Sequence, residues 1–112
     1  MTVKEAMDRL EDKVEKVAGE LDADRRRELS ALIETLREEV ETLASTHRED
    51  AESIAGYTRA SLQEAARDER NPKLLQHSID GLATSVESFE TSHGKLVQTV
   101  NGICTMLSNI GI

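Results

Sequence analysis

Apolar side chains recur three and four residues apart along almost the whole chain, a spacing that confines it to helices packed on helices. Val3, Met7, Leu10, Val14, Val17 and Leu21 form a first stripe, and Leu29, Leu32, Ile33, Leu36, Val40 and Leu43 a second. Leu75, Ile79, Leu82, Val86 and Phe89 repeat the alternation, and Leu96, Val100, Ile103, Leu107 and Ile110 continue it. The seven residues from Phe89 to Leu96 preserve a heptad phase across Thr91-Ser92-His93-Gly94, which sets His93 on the apolar seam. The expected fold is all-α, with three or four helices: a helical hairpin followed by long, heptad-patterned C-terminal helices in an oligomeric bundle or coiled coil.

The breaks between stripes define a provisional organisation within the single domain that 112 residues allow. Gly19 is a natural left-handed terminator, and Asp22 or Asp24 can cap the next helix, so residues 1–44 are predicted to form a charged αα-hairpin. Residues 45–70 carry only a thin stripe of Ala51, Ile54, Ala55, Tyr57, Leu62, Ala65 and Ala66, interrupted by Gly56, and are predicted to be a weakly patterned helical connector. A break or kink is expected near 45–48, where Thr46 and Glu49 either form a capping box or lie inside one long helix. Asn71-Pro72 is a clearer start signal, an N-cap residue followed by proline at the first helical position. Within 71–112 the preserved phase argues for one continuous helix and Gly94 for two that meet at a bend.

Composition narrows function further. Twelve Leu, seven Val and six Ile stand against one Phe, one Tyr and no Trp, so the core is aliphatic and lacks ring platforms for stacking bases, sugars or flavins. A net charge of −8 opposes binding to nucleic acid, whose affinity for proteins comes largely from counterions released by basic residues. That charge is unevenly placed: 31 of residues 1–70 are charged against 5 of residues 71–112, and none follows Lys95. The last 17 residues carry Gln98, Asn101, Ser108 and Asn109, too short and polar a run to span a bilayer. They also lack the basic residues that would grip anionic lipid, so a peripheral membrane role is disfavoured.

The simplest account of a charge-free helix is enclosure by protein. An oligomer interface is therefore expected along Leu75, Ile79, Leu82, Val86, Phe89, Leu96, Val100, Ile103, Leu107 and Ile110, with a dimer favoured and a protein partner of another kind as the alternative. Burial of the last five against a second copy would contribute on the order of 8 to 10 kcal/mol before association costs.

Chemistry-bearing patterns are sparse. Glu90-Thr91-Ser92-His93 is a Glu-x-x-His step of the kind that places two metal ligands on one helical face, with Glu87 a turn away. Such sites need further carboxylates from other helices, so His93 reads first as a helix-end or buried hydrogen-bonding group, and no cofactor is expected. Arg25-Arg26-Arg27 is flanked by Asp22, Asp24 and Glu28 and reads as a salt-bridged face. His47 beside Arg48, Glu49 and Asp50, and His77 three residues before Asp80, read as surface pairs. No serine or cysteine has both a base and an orienting acid nearby in sequence, and no glycine-rich phosphate loop is present. Cys104 is the sole cysteine, adjacent to the seam, and reads as a small buried hydrophobe suited to a reducing cytoplasm. The N-terminal residues show no export signal.

Phe89-Glu90-Thr91-Ser92-His93-Gly94-Lys95-Leu96, followed by Leu107-Ser108-Asn109-Ile110-Gly111-Ile112, resembles a bacterial family of short, acidic, helical proteins of unknown function. Members of that family end in Phe-Glu-x-x-His-Pro-x-Leu and Leu-x-Asn-Met-Gly-Ile motifs. Leu21-Asp22 with Arg27-Glu28-Leu29 and Leu32 is similar to the family's first hairpin, whereas Ser45 to Arg70 looks like an insertion. Gly94 stands where the family has proline. The resemblance implies no activity, so the residues alone point to a non-enzymatic structural or interaction module that self-associates through its C-terminal helices. A carboxylate and histidine metal-binding bundle is the alternative.

Overall fold

In the computed structural model, which describes residues 2–110, those stripes become six α-helices and no strand among the described residues. They are α1 (Val3–Asp8), α2 (Glu11–Ala18), α3 (Ala23–Ala44), α4 (Arg48–Ala65), α5 (Pro72–Ser85) and α6 (Gly94–Ile110), with a 3-10 turn at Glu87–Phe89 before α6. The radius of gyration is 12.9 Å, against about 13 Å for a compact folded chain of this length. One copy is therefore compact by itself.

The first stripe is expected as one helix and is found as two. The chain leaves the helix at Arg9 and Leu10, yet Val3, Met7, Leu10, Val14 and Val17 are all buried, so the apolar phase survives the break. Across that break Asp8 and Glu11 both pair with Arg37 of α3, a guanidinium only 17% exposed. The pairing spans more than 25 residues of sequence, which local periodicity cannot reveal.

The reversal between α2 and α3 also differs from expectation. Gly19 is right-handed, at φ −61° and ψ −20°, and no described residue has a positive φ. The chain turns at Asp22 instead, extended at φ −66° and ψ 169°, whose carboxylate accepts the Arg25 N–H at 2.8 Å. Arg26 donates to the Ala18 and Leu21 carbonyls at 3.1 and 3.2 Å, which ties the start of α3 to the end of α2 and the turn after it.

The break expected near 45–48 separates α3 from α4. Thr46 does not cap the new helix. Its hydroxyl faces back to the Leu43 carbonyl at 3.4 Å, and His47 takes the N-cap position without a side-chain cap bond. The weakly patterned segment turns out to be central, because α4 packs against all five other helices. Ala51, Ala55, Thr58, Ser61 and Ala65 are buried along it, and side chains this small let neighbouring backbones approach closely. Thr58 satisfies its buried hydroxyl by donating to the Ile54 carbonyl at 2.7 Å. On α5, Gly81 lies under the Tyr57 ring, where a Cβ would come within 2.5 Å of Cε1.

Asn71 accepts from the Lys73 and Leu74 N–H groups, and Pro72 opens α5, as the dipeptide predicts. At Gly94 the two-helix alternative holds: α5 ends at Ser85 and α6 begins afresh at Gly94. Phe89, within the interruption, and Leu96, after it, are both buried.

Candidate functional site

Helix α6, free of charge after Lys95 in its first turn, has two different faces. Leu96, Val100, Ile103 and Leu107 on its inner face are at most 1% exposed, and α6 packs chiefly against α3 and α5. Gly102 gives up a side chain to seat Leu32 of α3, whose Cδ2 lies 3.2 Å from where a Cβ would stand. Thr99, also buried, donates to the Lys95 carbonyl at 2.7 Å.

Of the ten positions expected to meet a second copy, Leu75, Ile79, Leu82, Val86, Phe89, Leu96, Val100, Ile103 and Leu107 are buried within one copy, and Ile110 is half-buried. The chain's own helices cover the seam. Beyond Gly94 and Lys95 in its exposed first turn, what a partner can reach of α6 is an outer strip: Gln98, Asn101, Thr105 and Asn109 exposed, with Gly102 and Ser108 half-buried beside them. No side chain on that strip is charged. Beside it an open groove of about 720 Å³ runs between α6 and the α2–α3 turn, with Arg25, Glu28, Glu20 and Arg70 on its far wall. Arg70 is itself engaged, donating to the Ala65 carbonyl at 2.8 Å and pairing with Glu20.

The motif residues before α6 form a ring cluster. Phe89 and His93 meet edge-on with centroids 5.3 Å apart, and His47, from the α3–α4 turn, completes the triangle at 5.5 Å from Phe89 and 6.1 Å from His93. The Nδ1 atoms of His47 and His93 lie 2.8 and 2.9 Å from the hydroxyls of Thr46 and Ser92. The motif therefore packs one end of the bundle, with Phe89 and Leu96 buried and His93 half-buried between them. The contact of His47 with these rings is invisible to sequence reading because the residues lie more than 40 positions apart.

The Glu-x-x-His pattern does not become a common helical face, because the chain is not helical between Glu90 and His93. Glu87 and Glu90 are exposed, and among the described residues no three His, Cys, Asp or Glu side chains come together to hold a metal ion. His77 has no bond to Asp80, which instead accepts from Gln76 Nε2 at 2.8 Å. In the arginine run, Arg25 pairs with Asp22 and Arg27 with Asp24, the salt-bridged face that the flanking acids predict. Cys104 is buried, with its Sγ 3.8 Å from the Ile79 carbonyl. Burial and, secondarily, the Asp80 charge push its thiol up to about 11, which leaves it protonated and unreactive at neutral pH. No described helix is long and apolar enough to cross a membrane.

No curated protein and no solved structure matches the chain. Residues 26–112 match the family model described as a domain of unknown function, DUF4404, a span that takes in almost all of α3 and everything through the ring cluster and α6. Since that match extends over most of the sequence, the chain belongs to the DUF4404 family.

Proposed function

We propose that the protein is a non-enzymatic structural or interaction module that pairs with a second copy of itself through the outer face of α6. The observation that carries this reading is the absence of charge on the exposed strip of Gln98, Asn101, Thr105 and Asn109, in a chain of net charge −8. Two such acidic molecules repel one another at long range, and contact costs least where the apposed faces carry no charge. Amide and hydroxyl side chains can hydrogen-bond across a two-fold axis. With the apolar seam already covered inside each copy, the pairing is polar and modest in strength. Cys104, free and buried, suits a reducing compartment such as the cytoplasm.

Sedimentation velocity over a range of concentrations tests the reading. The wild-type chain is expected to pass from monomer to dimer, more readily as salt screens the net charge. Thr105→Glu places like charges opposite one another and is expected to weaken pairing by about tenfold or more, with the monomer's helicity unchanged. A wild-type protein that stays monomeric throughout, or a Thr105→Glu variant that dimerises equally well, would remove the basis of the proposal.

A further inference from the structure

We infer that α1–α2 is an exchangeable arm, that Asp22 is its hinge, and that the partner it fits is the α3–α4 surface of a second copy. The inference is independent of the α6 face and rests on the α2–α3 turn. Helical bonding runs past the end of α2, with the Glu20 N–H on the Val17 carbonyl at 3.1 Å and the Leu21 N–H on the Ala18 carbonyl at 3.0 Å. Gly19 is already right-handed, and α3 begins at Ala23. At Asp22 the backbone is extended, with ψ 169°. Rotation of that residue into the helical region would join α2 and α3 end to end and carry the arm away from its own body.

The arm cannot remain open by itself, because Met7, Leu10 and Val17 are fully buried beneath it. A second copy offers the same seat on α3 and α4, and the polar contacts carry over unchanged: Arg37 with Asp8 and Glu11, Lys16 with Asp68, and Glu20 with Arg70. The seat is open at its edges, with clefts of about 360 and 230 Å³ along the two sides of the first turn of α1. Closure within one copy is held at the hinge by the Asp22 cap on Arg25 and by the bonds of Arg26 to Ala18 and Leu21.

Two full-length variants move the hinge in opposite directions. Gly19→Ala/Asp22→Ala removes the cap and favours a continuous helix, and the alanine at 19 meets nothing closer than 3.4 Å. Ala23→Pro holds Asp22 extended, because a residue before proline avoids the helical region, and it occupies the first helical position, where proline is tolerated. After refolding at high concentration, light scattering and native mass spectrometry are expected to find a long-lived dimer. Its association constant should rise roughly thirtyfold in the double variant, from two lost caps, and no such dimer should form with Ala23→Pro. Thr105→Glu, which is expected to weaken the proposed pairing through α6, is expected to leave this dimer intact, so the two modes separate. A double variant that folds but stays monomeric, or an Ala23→Pro variant that forms the same slowly dissociating dimer, overturns the inference.

Discussion

Residues 1–70 and 71–112 differ sharply in charge, 31 charged side chains against 5, yet they contribute to one core. Leu36 and Val40 on the inner face of α3 have no exposed surface, and neither have Val100 and Ile103 on the inner face of α6. The two helices differ on the outside. The solvent face of α3 carries Glu34, Glu38 and Glu41, where α6 presents Gln98, Asn101, Thr105 and Asn109. Charge density along the sequence therefore reports what the outer face meets and says nothing about what covers the inner one. Lack of charge on α6 beyond Lys95 is compatible with a seam closed by the same chain, and it leaves the outer strip as the feature that needs a functional explanation.

If both halves are parts of one core, truncating either is expensive. Leu107→Ala and Leu36→Ala, each removing a fully buried side chain, are expected to destabilise the protein by about 3 kcal/mol apiece, as in buried leucine truncations generally. Denaturant melts at low protein concentration, where no dimer contributes, measure both. A much smaller loss for Leu107→Ala under those conditions would mean that the C-terminal half depends on a partner for its burial.

A smaller effect sharpens the same comparison through Cys104, which lies in the low-charge half. Its thiol titrates at about 11 in the fold and near 9.0 when unfolded, so between those values the unfolded chain binds fewer protons and stability falls as pH rises. The contribution of the neutral thiol is complete below pH 9 and is lost through about pH 11. The loss amounts to about 1 kcal/mol at pH 10. Comparing alkaline melts of the wild type and Cys104→Ala checks it, since the variant's stability should fall less steeply over that interval.

Much of the architecture was legible in the sequence because it is set locally. Asn71-Pro72 starts a helix through a side-chain cap and a fixed φ, and the stripes of Val3 to Val17 and Leu96 to Leu107 are buried as their spacing requires. The break near residue 45 fell where the pattern weakened, whereas the interruption between Ser85 and Gly94 lies under a stripe that keeps its phase through Val86 and Phe89 and was signalled by Gly94 alone. What escaped depends on residues far apart in the chain. Arg37 pairs across the break at Arg9–Leu10, and His47 reaches Phe89 and His93 only once α3 and α6 are packed. The central role of α4 was hidden for another reason. Alanine, serine and threonine carry little hydrophobic signal, yet Ala51, Ala55, Thr58 and Ala65 are what allow its neighbours to draw close. Gly19 carried a turn signal, but the reversal falls at Asp22, three residues later.

The candidate site was half visible in the same sense. Periodicity identifies the seam of α6 as a surface that must be covered, but it does not say whether the cover comes from the same chain. The strip of Asn101, Thr105 and Asn109 opposite is recognisable only when the exposed and buried faces of the helix are known.

Hydrogen exchange across α6 as the protein is diluted tests the central claim most directly, because it reports closure of the seam without a substitution. Backbone amides from Val100 to Leu107 are expected to stay strongly protected at concentrations far below any dimer dissociation constant. Protection that disappears on dilution, in step with the loss of dimer, would contradict a seam closed within a single copy.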